Sequence, residues 1–312
     1  LNLARCSRKE HLFSTFKELL RFDKRIADIA LNVFGFSEIS EKIAISRRIG
    51  HSWRLIGWGE VLPGGQTVSS GSSLESTDGE INVLAQSVVW MLNTVAAIAA
   101  SKGQGGGAGA LPLCVITTKE DVSATVDNAV LTAKKNINIG ASSENWMLTA
   151  VLSSAISAGS AVGAAIAVHV FERTVSTKVI NGSKLTSKEG SIDIYAKGDD
   201  MTVTVLAAVA GGLGTVAIAG SVPVVVSMST IETEVSGVDA DNKAVLNAGD
   251  SVGVNSSLKA DNYIAAGSIA ATSGTAAVGA ALDTAVFENA IRTNIGKHTD
   301  IVANGKTVAG GG

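Results

Sequence analysis

Short segments in which apolar and polar residues alternate recur along residues 66–312. The first set of these segments begins at Ile81, Ile137, Ile192 and Val252. Its steps are 56, 55 and 60 residues. The second set keeps the same phase and begins at Val122, Val175, Ile231 and Ile291. Strict alternation is typical of a strand with one buried face, and two independent sets with one period indicate a repeat architecture.

The residues between these segments are mainly Gly, Asn, Asp, Ser and Lys, which favour turns. Each repeat is therefore predicted to be a group of short strands, and stacked repeats are expected to bury a continuous core. A parallel β-helix, or solenoid, satisfies this requirement. We expect each period to divide into three coils of roughly 18–20 residues, giving about a dozen coils and a rod on the order of 60 Å long.

Residues 1–65 have a different composition and are predicted to be a separate N-terminal segment. Residues 1–60 hold 11 Lys/Arg against 7 Asp/Glu, and Leu62-Pro63-Gly64-Gly65 is the natural boundary. Ser7-Arg8-Lys9-Glu10 has the form of a capping box, and apolar residues at helical spacing follow it. The pattern predicts an amphipathic helix over about residues 8–34. Its basic face would lie either on an anionic membrane or in solvent, with the helix packed on a neighbour.

Three long uncharged stretches offer a rival interpretation as membrane spans. They cover residues 145–171, 201–231 and 263–282, and each is long enough to cross a bilayer as a helix. They are rich in Ser, Thr and Gly and carry no aromatic belt at both ends. Gly211-Gly212-Leu213-Gly214 is typical of a corner between two strands. These features favour strands over membrane helices.

Composition narrows the function classes. The chain has 312 residues, 25 Lys/Arg and 28 Asp/Glu, so it lacks the basic surface of a nucleic-acid-binding protein. Two Cys and four His give neither a disulfide framework nor a multi-cysteine metal site. Aromatic residues make up only 4% of the chain. A core of Ala, Val, Ile and Leu suits a stack of tightly wound strands.

No group of residues has the spacing of a catalytic, cofactor or metal site. His11, His51, His169 and His298 are scattered, and His169 is expected to face outward from a strand. Residues 103–109 are Gly-rich but lead to Pro112, so a flexible corner is expected rather than a dinucleotide loop. The oxygen-rich segments at 199–200 and 239–242 lack the spacing of a calcium loop.

Other polar residues are equally uninformative. Asp193, Asp199 and Asp200 are the nearest approach to a carboxylate cluster. Cys6 and Cys114 are expected to be free thiols. We expect no enzyme activity and no cofactor.

Residues 66–312 resemble the large filamentous-haemagglutinin-type exoproteins of Gram-negative bacteria, and especially their fusobacterial leukotoxin-like group. The resemblance rests on the unit Asn181-Gly-Ser-Lys-Leu-Thr-Ser-Lys-Glu-Gly-Ser-Ile-Asp-Ile-Tyr-Ala196 and on the run Gly159-Ser-Ala-Val-Gly-Ala-Ala-Ile-Ala-Val168. It implies a right-handed β-helix that is secreted or displayed at the bacterial surface. Neither the secretion domain nor the membrane barrel of such proteins is recognisable in this sequence.

These observations predict a fragment of a longer β-helical array that serves as a structural or adhesive rod module. Its expected partners are a host cell-surface receptor or glycan, or further copies of itself. The alternative is a pore-forming or leukotoxin-like segment that acts on host membranes. The long uncharged stretches are the observation that suggests it.

Overall fold

The computed structural model describes residues 45–49, 52–58, 64–68, 71–102, 105–304 and 306–308. Within these residues the chain forms β-strands, turns and irregular segments, with no helix. The all-β character expected from the alternating pattern is thus confirmed for this part of the chain. The helix predicted over residues 8–34 lies outside the described residues.

The strands form three stacked sheets, each ordered mainly by parallel pairing. Sheet A contains β1 (Ile45–Ile49), β2 (Ser52–Trp58), β5 (Ile81–Ser101), β9 (Ile137–Ser157), β12 (Ile192–Gly212) and β15 (Val252–Thr272). Sheet B contains β3 (Gly64–Val68), β6 (Gly107–Ala110), β7 (Leu113–Asp127), β10 (Ser160–Ile180), β13 (Val216–Val235), β16 (Ala276–Ala281) and β17 (Thr284–Ile295). Sheet C contains β4 (Ser73–Ser76), β8 (Val130–Ala133), β11 (Lys184–Ser187), β14 (Ala244–Ala248), β18 (Thr299–Ala303) and β19 (Lys306–Val308).

The chain visits the sheets in a fixed order: a short strand of C, a long strand of A, a long strand or strand pair of B, and then C again. Each strand pairs in parallel with the strand one period away. Antiparallel pairing is described only where β1 meets β2 and β18 meets β19. Residues before and at the boundary predicted at Leu62–Gly65 also belong to the stacked sheets. Strand β2 pairs in parallel with β5, and β3 pairs in parallel with β7.

Residues at equivalent positions of the repeat are direct neighbours in the sheets. The first sequence set forms one row of sheet A, in the order Ile81, Ile137, Ile192 and Val252. The second set forms one row of sheet B, in the order Val122, Val175, Ile231 and Ile291. The repeat phase read from the sequence is therefore the register of the structure.

The predicted size of one coil was wrong. One period of 55–60 residues makes a single circuit through the three sheets, not three coils of 18–20 residues, because strands such as β9 and β12 run for 21 residues without a break. The four long strands of sheet A that follow one another along the stack, β5, β9, β12 and β15, rise by about 5 Å per circuit. They therefore span on the order of 20 Å along the stack rather than 60 Å.

Sheets A and B face each other, and their inward side chains form two separate hydrophobic clusters. The first lies beside sheet C and includes a row of leucines, Leu131, Leu185 and Leu246, that are fully buried. The second lies farther from sheet C and consists largely of alanine, including Ala155, Ala165 and Ala208. Small side chains let the two long sheets approach closely there.

The three uncharged stretches are strands and turns, not helices. Each begins within a long strand of sheet A, and the stretch at 201–231 passes the corner at 213–215 into β13. Among the described residues, no helix is long and apolar enough to cross a membrane. The corner predicted at Gly211–Gly214 is confirmed. Part of the corner predicted at 103–109 is instead a strand, because Gly107–Ala110 forms β6 and pairs with β10.

Candidate functional site

A layer of polar side chains crosses the interior between the two hydrophobic clusters. Sheet B contributes Glu120, His169, Arg173 and Ser229, and sheet A contributes Ser143, Asn145, Thr149, Asp200 and Thr204. These side chains point inward, and most belong to residues that are nine-tenths or more buried. Charged residues are rarely buried to this extent unless they are paired.

Arg173 is the centre of this layer. Its guanidinium forms a bidentate ion pair with Asp200 across the interior, and the Arg173 side chain is only 3% exposed. Two hydroxyls complete the contacts: Ser143 Oγ lies 3.3 Å from Nη1, and Ser229 Oγ lies 3.3 Å from Nη2. A planar guanidinium suits such bidentate pairing better than an ammonium group.

Glu120 extends the network to the preceding circuit. Its Oε2 accepts hydrogen bonds from Ser143 Oγ at 2.8 Å and from Asn145 Nδ2 at 2.9 Å. Glu120 is also the neighbour of Arg173 in sheet B. The charges therefore come from three successive circuits, one each from Glu120, Arg173 and Asp200, and the network connects those circuits through their side chains.

Gly198 makes room for the guanidinium. A Cβ at this position would lie 2.9 Å from Arg173 Nη2 and 2.9 Å from Leu258 Cδ1. The position belongs to the inward row that also contains Ser143. A side chain at this position would require the guanidinium or Leu258 to shift, so glycine in β12 suits the observed placement of the arginine of β10.

Burial raises the pKa of Asp200, while the charge and hydrogen bonds of Arg173 act in the opposite direction. The ionised pair is thus costly to desolvate. Several buried atoms of the layer, among them Glu120 Oε1, Asn145 Oδ1 and Arg173 Nε, have no hydrogen-bond partner among the described residues. Our hypothesis is that this network contributes more to specifying one arrangement of the circuits than to net stability.

The expectation that His169 faces outward is wrong. Its side chain is fully buried, with Nδ1 3.4 Å from Thr204 Oγ1 and the ring in edge contact with Phe171. Burial lowers the pKa of His169, so the neutral imidazole is the form that fits the core. In β10 the odd-numbered residues point inward, as Val175 does, and residue 169 is one of them.

The remaining candidates do not converge on one site. Asp193 and Asp199 lie on the outer face of β12, whereas Asp200 points inward. Asp239 closes an exposed turn, where its Oδ1 accepts hydrogen bonds from the backbone N–H groups of Asp241 and Asn242, and these bonds lower its pKa. Among the described residues, no group of three His, Cys, Asp or Glu side chains is placed to hold a metal ion.

Cys114 is a free thiol, as the sequence predicted. The structure also shows that it is buried, and burial raises its pKa. His298 lies in an exposed turn next to β18, far along the chain from His169. His11, His51 and Cys6 lie outside the described residues.

A shallow groove lies on the outer face of sheet A, in the half nearer to sheet C. It has a volume of about 440 Å³ and is lined by the side chains of Asn82, Leu84, Asn138, Asp193, Tyr195 and Asn255. The Tyr195 ring lies directly over Gly140, where any side chain would collide with it. Asn138 Nδ2 donates to Asn82 Oδ1 at 2.7 Å, so neighbouring circuits form an amide ladder. Amides, a carboxylate and a partly buried tyrosine ring are arranged here on one surface.

Sequence reasoning missed both the polar layer and the groove, although a signal for the layer was present. Counting by two from the marker residues assigns an inward direction to Glu120 from Val122, to Arg173 from Val175 and to Asp200 from Ile192. Counting by two from a marker residue is valid only if the strand continues for 15 residues or more. The sequence pattern predicted short strands instead, so these inward positions were not recognised. The groove depends on the register between circuits and has no comparable signal in the chain.

Replacing Arg173 tests the layer. Arg173→Met leaves Glu120 and Asp200 without their buried counter-charge, so we expect the free energy of unfolding to fall by about 3–5 kcal/mol. Denaturant titration measures this change. The control is Lys178→Met, since Lys178 is 35% exposed and its ion pairs with Glu232 and Glu234 are long, at 3.9 and 3.7 Å. Equal effects of the two substitutions would contradict the assigned role of Arg173.

His169 gives a pH-dependent prediction. Because its pKa is lowered in the folded state, the neutral ring stabilises the fold above the unfolded value of 6.5, and this contribution is lost as pH falls below it. We expect the difference in unfolding free energy between the wild type and His169→Gln to shrink as pH falls from 7.5 to 5.5, by up to about 1.4 kcal/mol per pH unit. A difference that is constant with pH would show that His169 is not buried as a neutral ring.

Comparison with known proteins adds one local match. The family model for the C-terminal part of initiation factor eIF2 gamma matches residues 13–61. Within that range the structure describes the antiparallel pair β1–β2. No curated protein and no solved structure matches the chain. The match covers a minor part of the chain and, of the three stacked sheets, includes only β1 and β2 at the edge of sheet A.

Proposed function

We propose that this chain is a non-catalytic structural and adhesive module of a bacterial exoprotein. In this proposal the stacked circuits form a right-handed parallel β-helix, a fragment of a longer array that is secreted or displayed on the outer surface of a Gram-negative bacterium. The module attaches to a host cell-surface receptor or glycan, or to further copies of itself. Supports for the proposal are the exact register of successive circuits and the resemblance of its repeat units to filamentous-haemagglutinin-type exoproteins.

The groove on sheet A is the observation that carries the adhesive part of the proposal. Carboxylate and amide groups such as Asp193, Asn138 and Asn255 hydrogen-bond readily to vicinal hydroxyls, and a tyrosine ring packs against the apolar face of a sugar. Burial and the nearby Asp193 charge both raise the pKa of Tyr195. Its hydroxyl therefore stays protonated at neutral pH and can donate a hydrogen bond.

Binding of the full chain to host cells or to a panel of immobilised glycans tests this function. The double variant Asn138→Ala/Asp193→Ala removes two polar groups of the groove, and we expect it to lower affinity by about 10-fold or more, the scale of lost hydrogen bonds to a bound ligand. Thr174→Ala on the outward face of sheet B is the matched control and should bind as the wild type does. Undiminished binding of the double variant would contradict a role for the groove.

A second candidate is action on host membranes, and a specific observation favours it. The halves of sheets A and B farther from sheet C carry no Asp, Glu, Lys or Arg between residues 145 and 171 or between 201 and 231. Many outward side chains in these halves are apolar and exposed, among them Leu152, Ile156 and Ile218. Release of a dye from liposomes by the full chain would support membrane action, and intact liposomes would contradict it.

A further inference from the structure

The outer face of sheet A divides sharply into two parts. Toward sheet C it carries the groove and charged residues such as Glu144, Asp199 and Lys259. The row formed by Trp90, Trp146, Met201 and Asp261 marks the border, and beyond it the four long strands carry no charged side chain. We name this uncharged part of the outer face, on residues 90–101, 146–157, 201–212 and 262–272, the apolar face.

The apolar face exposes large side chains in every one of the four circuits. Its members include Leu92 and Ile98 from β5, Leu152 and Ile156 from β9, Val205 and Val209 from β12, and Tyr263 and Ile269 from β15. Ile98 is 81% exposed and Ile156 57%. Contiguous apolar surface on this scale is rare on monomeric soluble proteins unless something covers it.

We propose that the apolar face is the interface through which a second copy of this chain packs face to face on sheet A. This proposal names the surface through which the self-association in the proposed function takes place, and it rests on that function. Two related copies would bring the same rows of side chains together about a two-fold axis, as in most homodimers. Sheets that pack in this way lie about 10 Å apart, with strands crossing at about 30°.

The area of the face supports this occupant. Eleven or twelve residues along each strand at about 3.3 Å per residue and four strands at about 4.8 Å give a surface of about 700–760 Å². Two such surfaces bury about 1,400–1,500 Å², within the 1,200–2,000 Å² of stable specific interfaces. An apolar centre with a charged border on one side, here Glu144, Asp199 and Lys259, is also the usual anatomy of such an interface.

Trp146 fits burial against a second copy. Trp90 and Trp146 stack with their ring centroids 4.8 Å apart. The indole N–H of Trp146 donates to the sulfur of Met201 at 3.2 Å. Since this polar group already has a partner within the chain, covering the ring does not strand it away from water.

Sheet A is the docking face rather than sheet B because its strands are unbroken along the outer surface. Strands β5, β9, β12 and β15 are each 21 residues long and pair at every position of the apolar face. In sheet B the outer rows are interrupted between β6 and β7 at Pro112 and between β16 and β17 at Asp283. A flat, unbroken surface is the one that can repeat its contacts with a copy of itself.

Sedimentation of the full 312-residue chain over a range of concentrations tests the proposal. We expect a reversible monomer–dimer equilibrium. Ile156→Lys, near the far end of one of the two middle strands of the apolar face, should weaken it by ~10-fold or more, because a charge replaces an apolar side chain that the second copy would cover. Ile218→Lys makes the same change on the outer face of sheet B and should leave the equilibrium unchanged. Circular dichroism of each variant checks that the strands are retained.

Ile98→Lys is tested as a second variant in case Ile156→Lys fails to fold. The Ile98 side chain is mostly exposed and makes few contacts within the chain, so its replacement should not disturb the fold. A dimer that persists in both sheet A variants would overturn the assigned face while leaving self-association through the strand edges intact. A chain that is monomeric at every concentration overturns the proposal, as does a monomer that binds neutral phosphatidylcholine vesicles. Cell or glycan binding by the groove is measured separately and is unaffected by these results.

Discussion

In-register stacking of one circuit on the next is the constraint on which the structure depends. Each backbone group of a strand such as β12 pairs with the equivalent position one period before and one period after, about 4.8 Å away. Every inward side chain therefore has its counterparts directly above and below it. The leucines at 131, 185 and 246 fill one such row, while the alanines of the second cluster let two long sheets approach each other.

The polar layer depends on the same in-register stacking, and it determines which circuit lies next to which. A slip by one circuit keeps apolar rows apolar, since most of their members are interchangeable. The same slip removes the guanidinium of Arg173 from Asp200 and from the oxygens that Ser143 and Ser229 supply. Because an unpaired buried charge is costly, the layer distinguishes one circuit from the next where the hydrophobic rows cannot. The space at Gly198 is part of this arrangement.

Much of the fold was predictable from the sequence because its strongest signal is local and periodic. Rows such as Ile81–Ile137–Ile192 follow directly from alternation and spacing. The length of a circuit was not predictable in the same way, since most strands have five or six residues and glycines inside β12 and β13 resemble corners. His169 and Arg173 were misjudged or missed for this reason. The groove on sheet A depends on contacts between circuits, such as Asn82 with Asn138, that no single repeat contains.

Disulfide formation between adjacent circuits tests the central claim that one period makes one circuit. Ser142 and Lys197 are direct neighbours in sheet A, on its outer face. With Cys6 and Cys114 replaced, the variant Ser142→Cys/Lys197→Cys should form a disulfide rapidly, since neighbouring parallel strands place Cα atoms about 5 Å apart. The offset pair Ser142→Cys/Asp199→Cys, with Cα atoms about 8 Å apart, should not. Failure of the first pair to cross-link would contradict the account, because three coils per period would separate those residues by about 14 Å.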